Sequence, residues 1–154
     1  MTVFDSMPIA CVINGKFLAV HGGISPHIPH VKDINKLNRY IEPPQTGGLC
    51  DLIWSDPINN TTGELEKSWI NNEIRGCSFY FGKDATNQFL KYNNLLTIIR
   101  AHEAEFEGFK AYFWKSKNIQ FPQVVTIFSA PNYCGYYANK GAIGKLENND
   151  LKII

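Results

Sequence analysis

The chain reads as an α+β domain, and three features of its pattern point there. Apolar runs of strand length (Ile9 to Ile13, Phe17 to Val20, Leu95 to Ala101, Val124 to Ala130) recur along all 154 residues, segments with helical spacing stand between them, and no internal repeat or linker divides the chain. A content of 44% hydrophobic and 19% charged residues suits one packed domain and excludes a disordered chain.

Element by element, Asn14-Gly15 between the first two apolar runs predicts a β-hairpin, because both central residues of a type I′ turn need positive φ. Ile34 and Leu37 predict a short helix within Val31 to Tyr40, and the prolines and glycines of Ile41 to Asp51 predict a loop. Ala85, Phe89 and Tyr92 share one face of a helix predicted from Asp84 to Tyr92. Strands follow at Leu95 to Ala101, Phe109 to Trp114 and Val124 to Ala130. A last hairpin joins Ala142 to Leu146 with Leu151 to Ile154 through Glu147-Asn148-Asn149-Asp150.

A net charge of +1, from 15 basic and 14 acidic residues, leaves no basic footprint for nucleic acid. No apolar run reaches the ~18 residues of a membrane span, and the first residues have no signal-peptide pattern. Cys11, Cys50, Cys77 and Cys134 lack Cys-x-x-Cys spacing, which predicts reduced thiols in a cytoplasmic protein rather than a zinc ribbon. The Asn-x-Thr triplets at Asn59 and Asn60 read as a surface loop.

Three of the strands end in chemistry. Phe17 to Val20 runs into His21-Gly22-Gly23, Leu96 to Ala101 into His102-Glu103, and Val124 to Ala130 into Pro131-Asn132-Tyr133. Beyond strand carboxyl ends a stiff sheet can hold side chains from distant segments together. Imidazole suits first-row divalent metals, and Gly22-Gly23 permits a sharp turn and a close backbone approach. Each histidine alone also fits a structural role. His27 and His30, between Pro26 and Pro29 and beyond, read as solvated loop. Arg75, ahead of Gly76 to Gly82, fits either a phosphate fork or a structural ion pair. Trp54-Ser55-Asp56-Pro57 fits either a turn with a packed indole or the rim of a site.

Five ordered segments together resemble the phosphoprotein phosphatase (metallophosphoesterase) family, nearest its calcineurin-like branch. They are His21 to Pro26, Leu52 to Pro57, Arg75 to Ser78, Ile99 to Ala104 and Ser129 to Cys134, while Cys134-Gly135 and Phe81-Gly82 are closer to other branches. The resemblance implies the carboxy-terminal half of a four-layer α/β/β/α sandwich, forming a single partial domain over residues 1–154. It implies two-metal hydrolysis of phosphoserine and phosphothreonine, with zinc or manganese beside iron. His21 and His102 would be metal ligands, Arg75 would bind phosphate, Tyr133 would line the pocket, and Trp54 and Asp56 its rim. The family signatures Gly-Asp-x-His-Gly, Gly-Asp-x-Val-Asp-Arg-Gly and Gly-Asn-His-Glu are absent, so the expectation is a chain inactive alone, whose partners are phosphoprotein substrates and the other half of the domain. Calcineurin B-like and calmodulin sites are likewise expected to be absent. An uncovered apolar face predicts self-association. The alternative is a docking module in which Asp150, Leu151, Lys152, Ile153 and Ile154 add an extended peptide to a sheet edge.

Overall fold

The computed structural model describes Val3 and residues 6–59, 68–114, 121–148 and 150–154. Its centre is a five-stranded sheet in the order β1-β2-β6-β8-β7. β1 (Ala10–Ile13) and β2 (Phe17–Val20) form the predicted hairpin, with Asn14 at φ 52° and Gly15 at φ 64°. The Lys16 N–H closes the turn on the Ile13 carbonyl at 3.0 Å, and Ile13 pairs with Phe17, so the connection holds three residues. β2 runs parallel to β6 (Thr97–Arg100), and β6 parallel to β8 (Val124–Ile127). β7 (Phe109–Tyr112) closes the far edge antiparallel to β8. Three parallel neighbours present their carboxyl ends along one edge, which brings the segments after Val20, Arg100 and Ile127 together.

Alternation along the strands sorts the sheet into two faces. On one, Leu18, Val20, Ile98, Tyr112 and Val124 join Ile24, Ile28, Leu52, Phe81, Ala85, Phe89, Leu90 and Leu95 in the core. On the other, a row of small and aliphatic residues (Cys11, Ala19, Ile99, Val125, Ala111) crosses all five strands in register. Val125 is buried, Ala19 and Ile99 are half-buried, and Cys11 and Ala111 are exposed.

The covering layer departs from the sequence reading in three places. The predicted helix from Val31 is a single 3₁₀ segment, Val31–Lys36, with Ile34 and Leu37 packed against the core. Part of the predicted loop is a helix, α1 (Gly48–Trp54), whose first residue lies against Ile28; an alanine methyl there would stand 2.4 Å from Ile28 Cδ1. A second sheet of three short strands was not foreseen at all: β3 (Asp56–Pro57), β4 (Trp69–Asn71) and β5 (Phe79–Phe81), in the order β3-β5-β4. The second helix matches, as α2 (Lys83–Asn93), ending in left-handed Asn94. Ala85 and Phe89 face the core, but Tyr92 is exposed, its hydroxyl accepting a bond from Gln88. The terminal hairpin, β9 (Gly144–Glu147) and β10 (Asp150–Ile153), is a separate two-stranded sheet. Its predicted turn includes Asn149, which lies outside the described residues. The four cysteines are free, and no described helix is long and apolar enough to cross a membrane.

Candidate active site

His21 follows β2 directly and His102 lies two residues past β6. Their rings meet, with His21 Nε2 3.1 Å from His102 Nδ1. His102 adopts a left-handed backbone, φ 61°, a strained conformation for a non-glycine residue of the kind that gathers at functional sites. Its other ring nitrogen, Nε2, is buried without a protein partner. Trp54, at the end of α1, stands edge-on to the His102 ring at 5.3 Å between centroids. Burial first, then the charges of Arg100 and Arg75, lower the pKa of His21. Burial, then Arg75, pushes His102 down to about 4. Both rings are therefore held neutral near pH 7, the state in which an imidazole can ligate a metal.

The glycines after His21 combine a bend of the chain at His21-Gly22 with close packing. Gly22 donates to the Leu52 carbonyl at 2.8 Å, and a methyl on it would fall 2.5 Å from the Ile53 carbonyl group. A methyl on Gly23 would overlap the Phe81 ring at 2.2 Å and Ser55 Oγ at 2.7 Å. Neither has positive φ. What they bring close is α1 and β5, with the residues those elements carry.

Asp56 corrects the sequence reading. It is 2% exposed, so it is no rim residue but the buried counter-charge beneath the site. Oδ2 accepts from Arg75 Nε at 2.9 Å and from Asn72 Nδ2 at 2.9 Å, while Oδ1 accepts from an Arg100 amino group at 2.7 Å. Burial would push its carboxyl up, but the Arg75 bond and the two guanidinium charges outweigh that and hold its pKa below the usual value. Arg75 shows the same balance: burial opposes its charge, and Asp56 more than restores it. Arg75 is thus in an ion pair, as the plainer reading had it, yet only one arm of its fork is well made. The second amino group lies 3.5 Å from Oδ1, and 27% of the side chain remains exposed.

Two residues not singled out from sequence complete the cluster. Arg100, with a side chain 0% exposed, donates to the Gly22 carbonyl at 2.6 Å, the Ser55 carbonyl at 3.2 Å and Glu103 at 2.6 Å, besides Asp56. Asn72 supports Asp56 and, through Oδ1, accepts the backbone N–H of Arg75 at 3.1 Å. An arginine ending the apolar run Thr97-Ile98-Ile99 was the available signal for the first, since its parity places it on the core face with Ile98.

Tyr133 stands in the loop that leaves the same sheet edge after β8, its ring against Phe128 and Tyr137. Its ring and backbone partners among the described residues belong to that segment, whereas His21, His102 and Arg75 act on one another electrostatically as one cluster. His27 and His30 lie apart, beside Phe79 and Tyr92. Among the described residues no group of three or more His, Cys, Asp or Glu side chains converges as an ion cage. Two neutral imidazoles, one with an orphaned buried nitrogen, suit a metal as two of its ligands but fall short of the about three that a catalytic site uses.

Comparisons with known proteins point the same way as the geometry. The family model described as calcineurin-like phosphoesterase matches residues 1–106. Serine/threonine-protein phosphatase 2B catalytic subunit A1 of Saccharomyces cerevisiae is 44% identical over 158 residues, covering 97% of this chain and 28% of that protein. Catalytic subunit A2 of the same yeast is 41% identical over 175 residues, covering 97% and 29%. Among solved structures, a yeast protein serine/threonine phosphatase with similarity to human phosphatase PP5 superposes with TM-score 0.77 at 28% identity, covering 98% of this chain and 47% of that one. The chain therefore spans under a third of the curated relatives it matches.

Proposed function

The chain belongs to the calcineurin-like phosphoesterase family, and from that premise we propose that it carries the arginine and histidine side of a protein serine/threonine phosphatase centre. The observation that supports this most is the convergence of His21, His102 and Arg75 at one edge, with Asp56 fixing Arg75 from below. The family implies a divalent metal pair in the complete domain. Of this chain, His21 and His102 would hold one ion of a pair of zinc or manganese beside iron, as two of its ligands; the rest would come from residues outside these 154. When bound, such a pair supplies Lewis acidity toward the phosphoryl group and lowers the pKa of a water.

The chain's own groups do the remaining work. The free amino edge of Arg75 takes phosphate oxygens and offsets charge that grows during transfer. Its pKa, raised by Asp56, keeps it cationic throughout. Trp54 limits water on one side of His102, and Tyr133 contributes a hydroxyl to the wall. The substrates are phosphoserine and phosphothreonine proteins of the cytoplasm. The open row Cys11, Ala19, Ile99 and Ala111 is where the second half of the domain, or a second copy, packs.

The test is phosphate release from phosphoserine and phosphotyrosine peptides in added manganese, by this chain alone and by a version extended to the relatives' length. The proposal expects release from phosphoserine by the extended protein, abolished by Arg75→Met, and none from this chain alone. Equal activity of the extended protein and its Arg75→Met variant would reject it.

A second reading, peptide docking at Asp150 to Ile154, draws on β10 having a strand partner on one side only among the described residues. It expects extended peptides to bind, and Ile153→Pro to abolish that binding by removing a backbone donor that faces away from β9. Undiminished binding by Ile153→Pro would remove this reading.

A further inference from the structure

Asp51, on α1, is fully buried, and among the described residues no cation bonds to it. Two hydroxyls hold its carboxylate instead. Oδ2 accepts from Ser25 Oγ at 2.6 Å, and Oδ1 accepts from Ser78 Oγ at 2.9 Å. Ser25 Oγ in turn accepts the His27 N–H at 3.0 Å, which commits its own proton to Asp51. Burying a carboxylate is costly unless such bonds are well made, and the metal and phosphate groups of the site make no direct use of this one. Ser78 stands three residues past Arg75, where the loop enters β5, and has a left-handed backbone, φ 64°. A residue with a Cβ keeps that conformation only where its surroundings over-determine it. The loop has two feet. Asn72 gives its side-chain amide to Asp56 at 2.9 Å, Ser78 gives its hydroxyl to Asp51, and the Asn72 N–H meets the Ser78 carbonyl at 3.1 Å.

Resting on the phosphatase reading of Arg75, we propose that Asp51 is a positioning residue for phosphate recognition, which holds left-handed Ser78 and so sets the loop that presents the Arg75 guanidinium. Asp56 and Asn72 secure the guanidinium and the first foot of the loop; Asp51 secures the second. Without the bond to Asp51, Ser78 relaxes toward the extended backbone that residues with a Cβ prefer, and the loop between the feet turns with it. α1 is a firm base for this catch, because the Gly22 N–H also binds the carbonyl of Leu52, next to Asp51, at 2.8 Å. One helix residue thus ties the segment after His21 to the segment after Arg75.

The experiment follows inorganic phosphate binding by phosphorus NMR, the Arg75 Nε resonance by nitrogen-15 NMR, and thermal unfolding, in the intact chain and its variants. Arg75→Met is expected to lose phosphate affinity. Ser78→Ala, which keeps the Cβ and loses the hydroxyl, is expected to lose about tenfold, the worth of one charge-assisted bond, with the Arg75 Nε resonance displaced. Ser78→Gly, for which φ 64° carries no strain, is expected to lose no more than about threefold. Asp51→Asn, whose amide can still bond both hydroxyls, is expected to stay within about threefold of the parent. Asp51→Ala is expected to match Ser78→Ala, and the double variant to bind no more weakly than either, because each change removes the same bond. Where Asp51→Ala does not fold, the two Ser78 variants, at a half-buried position, carry the comparison. An unchanged phosphate affinity or an unmoved Arg75 Nε resonance in Ser78→Ala, whatever its unfolding temperature, would leave Asp51 a stability residue and overturn the proposal. Equal losses in Ser78→Gly and Ser78→Ala would overturn it too. An unchanged affinity in Arg75→Met would instead reject the phosphate role of Arg75, and the Nε resonance in Ser78→Ala would then decide alone whether Asp51 sets the loop.

Discussion

The edge where β2, β6 and β8 end and the hairpin of β9 and β10 are built on opposite principles. At the first, polar groups are buried and over-bonded: Arg100 alone reaches five partners, and Asp56 serves two arginines and an asparagine. At the second, no side chain is buried, β10 alternates between exposed and half-buried while β9 is exposed except at Leu146, and the bonds are backbone bonds, with ion pairs such as Lys145–Glu147 at the surface. One region can fix a side-chain constellation to within the tolerance chemistry needs. The other can offer only a strand edge, which reads a partner's backbone. The difference teaches where each kind of recognition can live in the same chain.

The largest expected effect breaks the first region. Asp56→Ala strands two guanidinium groups, one of them fully buried, and is expected to cost about 3–5 kcal/mol in urea unfolding. Acid probes the same carboxylate. Its folded pKa lies below 3.8, so its contribution is complete above that value and is lost as pH falls through the folded pKa. Urea midpoints are expected to fall as pH drops below 3.8, and Asp56→Asn is expected to flatten that part of the curve. Next in size, Gly23→Ala drives a methyl into Phe81 and Ser55 and is expected to cost about 1–3 kcal/mol by thermal unfolding. Smallest, Lys145→Ala in the hairpin is expected to change stability by no more than about 0.5 kcal/mol. A Lys145→Ala cost as large as that of Asp56→Ala would erase the contrast between the two regions.

Legibility in the sequence divides along the same line. The Asn14-Gly15 turn, the run from Thr97 to Arg100 and the helix around Ala85 and Phe89 could be read because local rules decide them: positive φ, apolar continuity and a repeat of three to four residues. The strand tips at His21 and His102, whose rings meet, could be read for the same reason, since a polar residue ending an apolar run is visible in one dimension. β3, β4 and β5 could not, because strands of two or three residues take their identity from partners far along the chain. α1 was hidden behind Gly47 and Gly48, which look like loop until Ile28 is seen to need the space. Asp56 was misplaced at a rim because its two arginines lie 19 and 44 residues away, and no local pattern pairs them.

The most direct measurement of the central claim is a manganese titration of the intact chain followed through its imidazole resonances. The account predicts that His21 and His102 broaden together, ahead of His27 and His30, and that His102→Ala weakens the response of His21. Broadening of His27 and His30 first, or of all four rings alike, would contradict it.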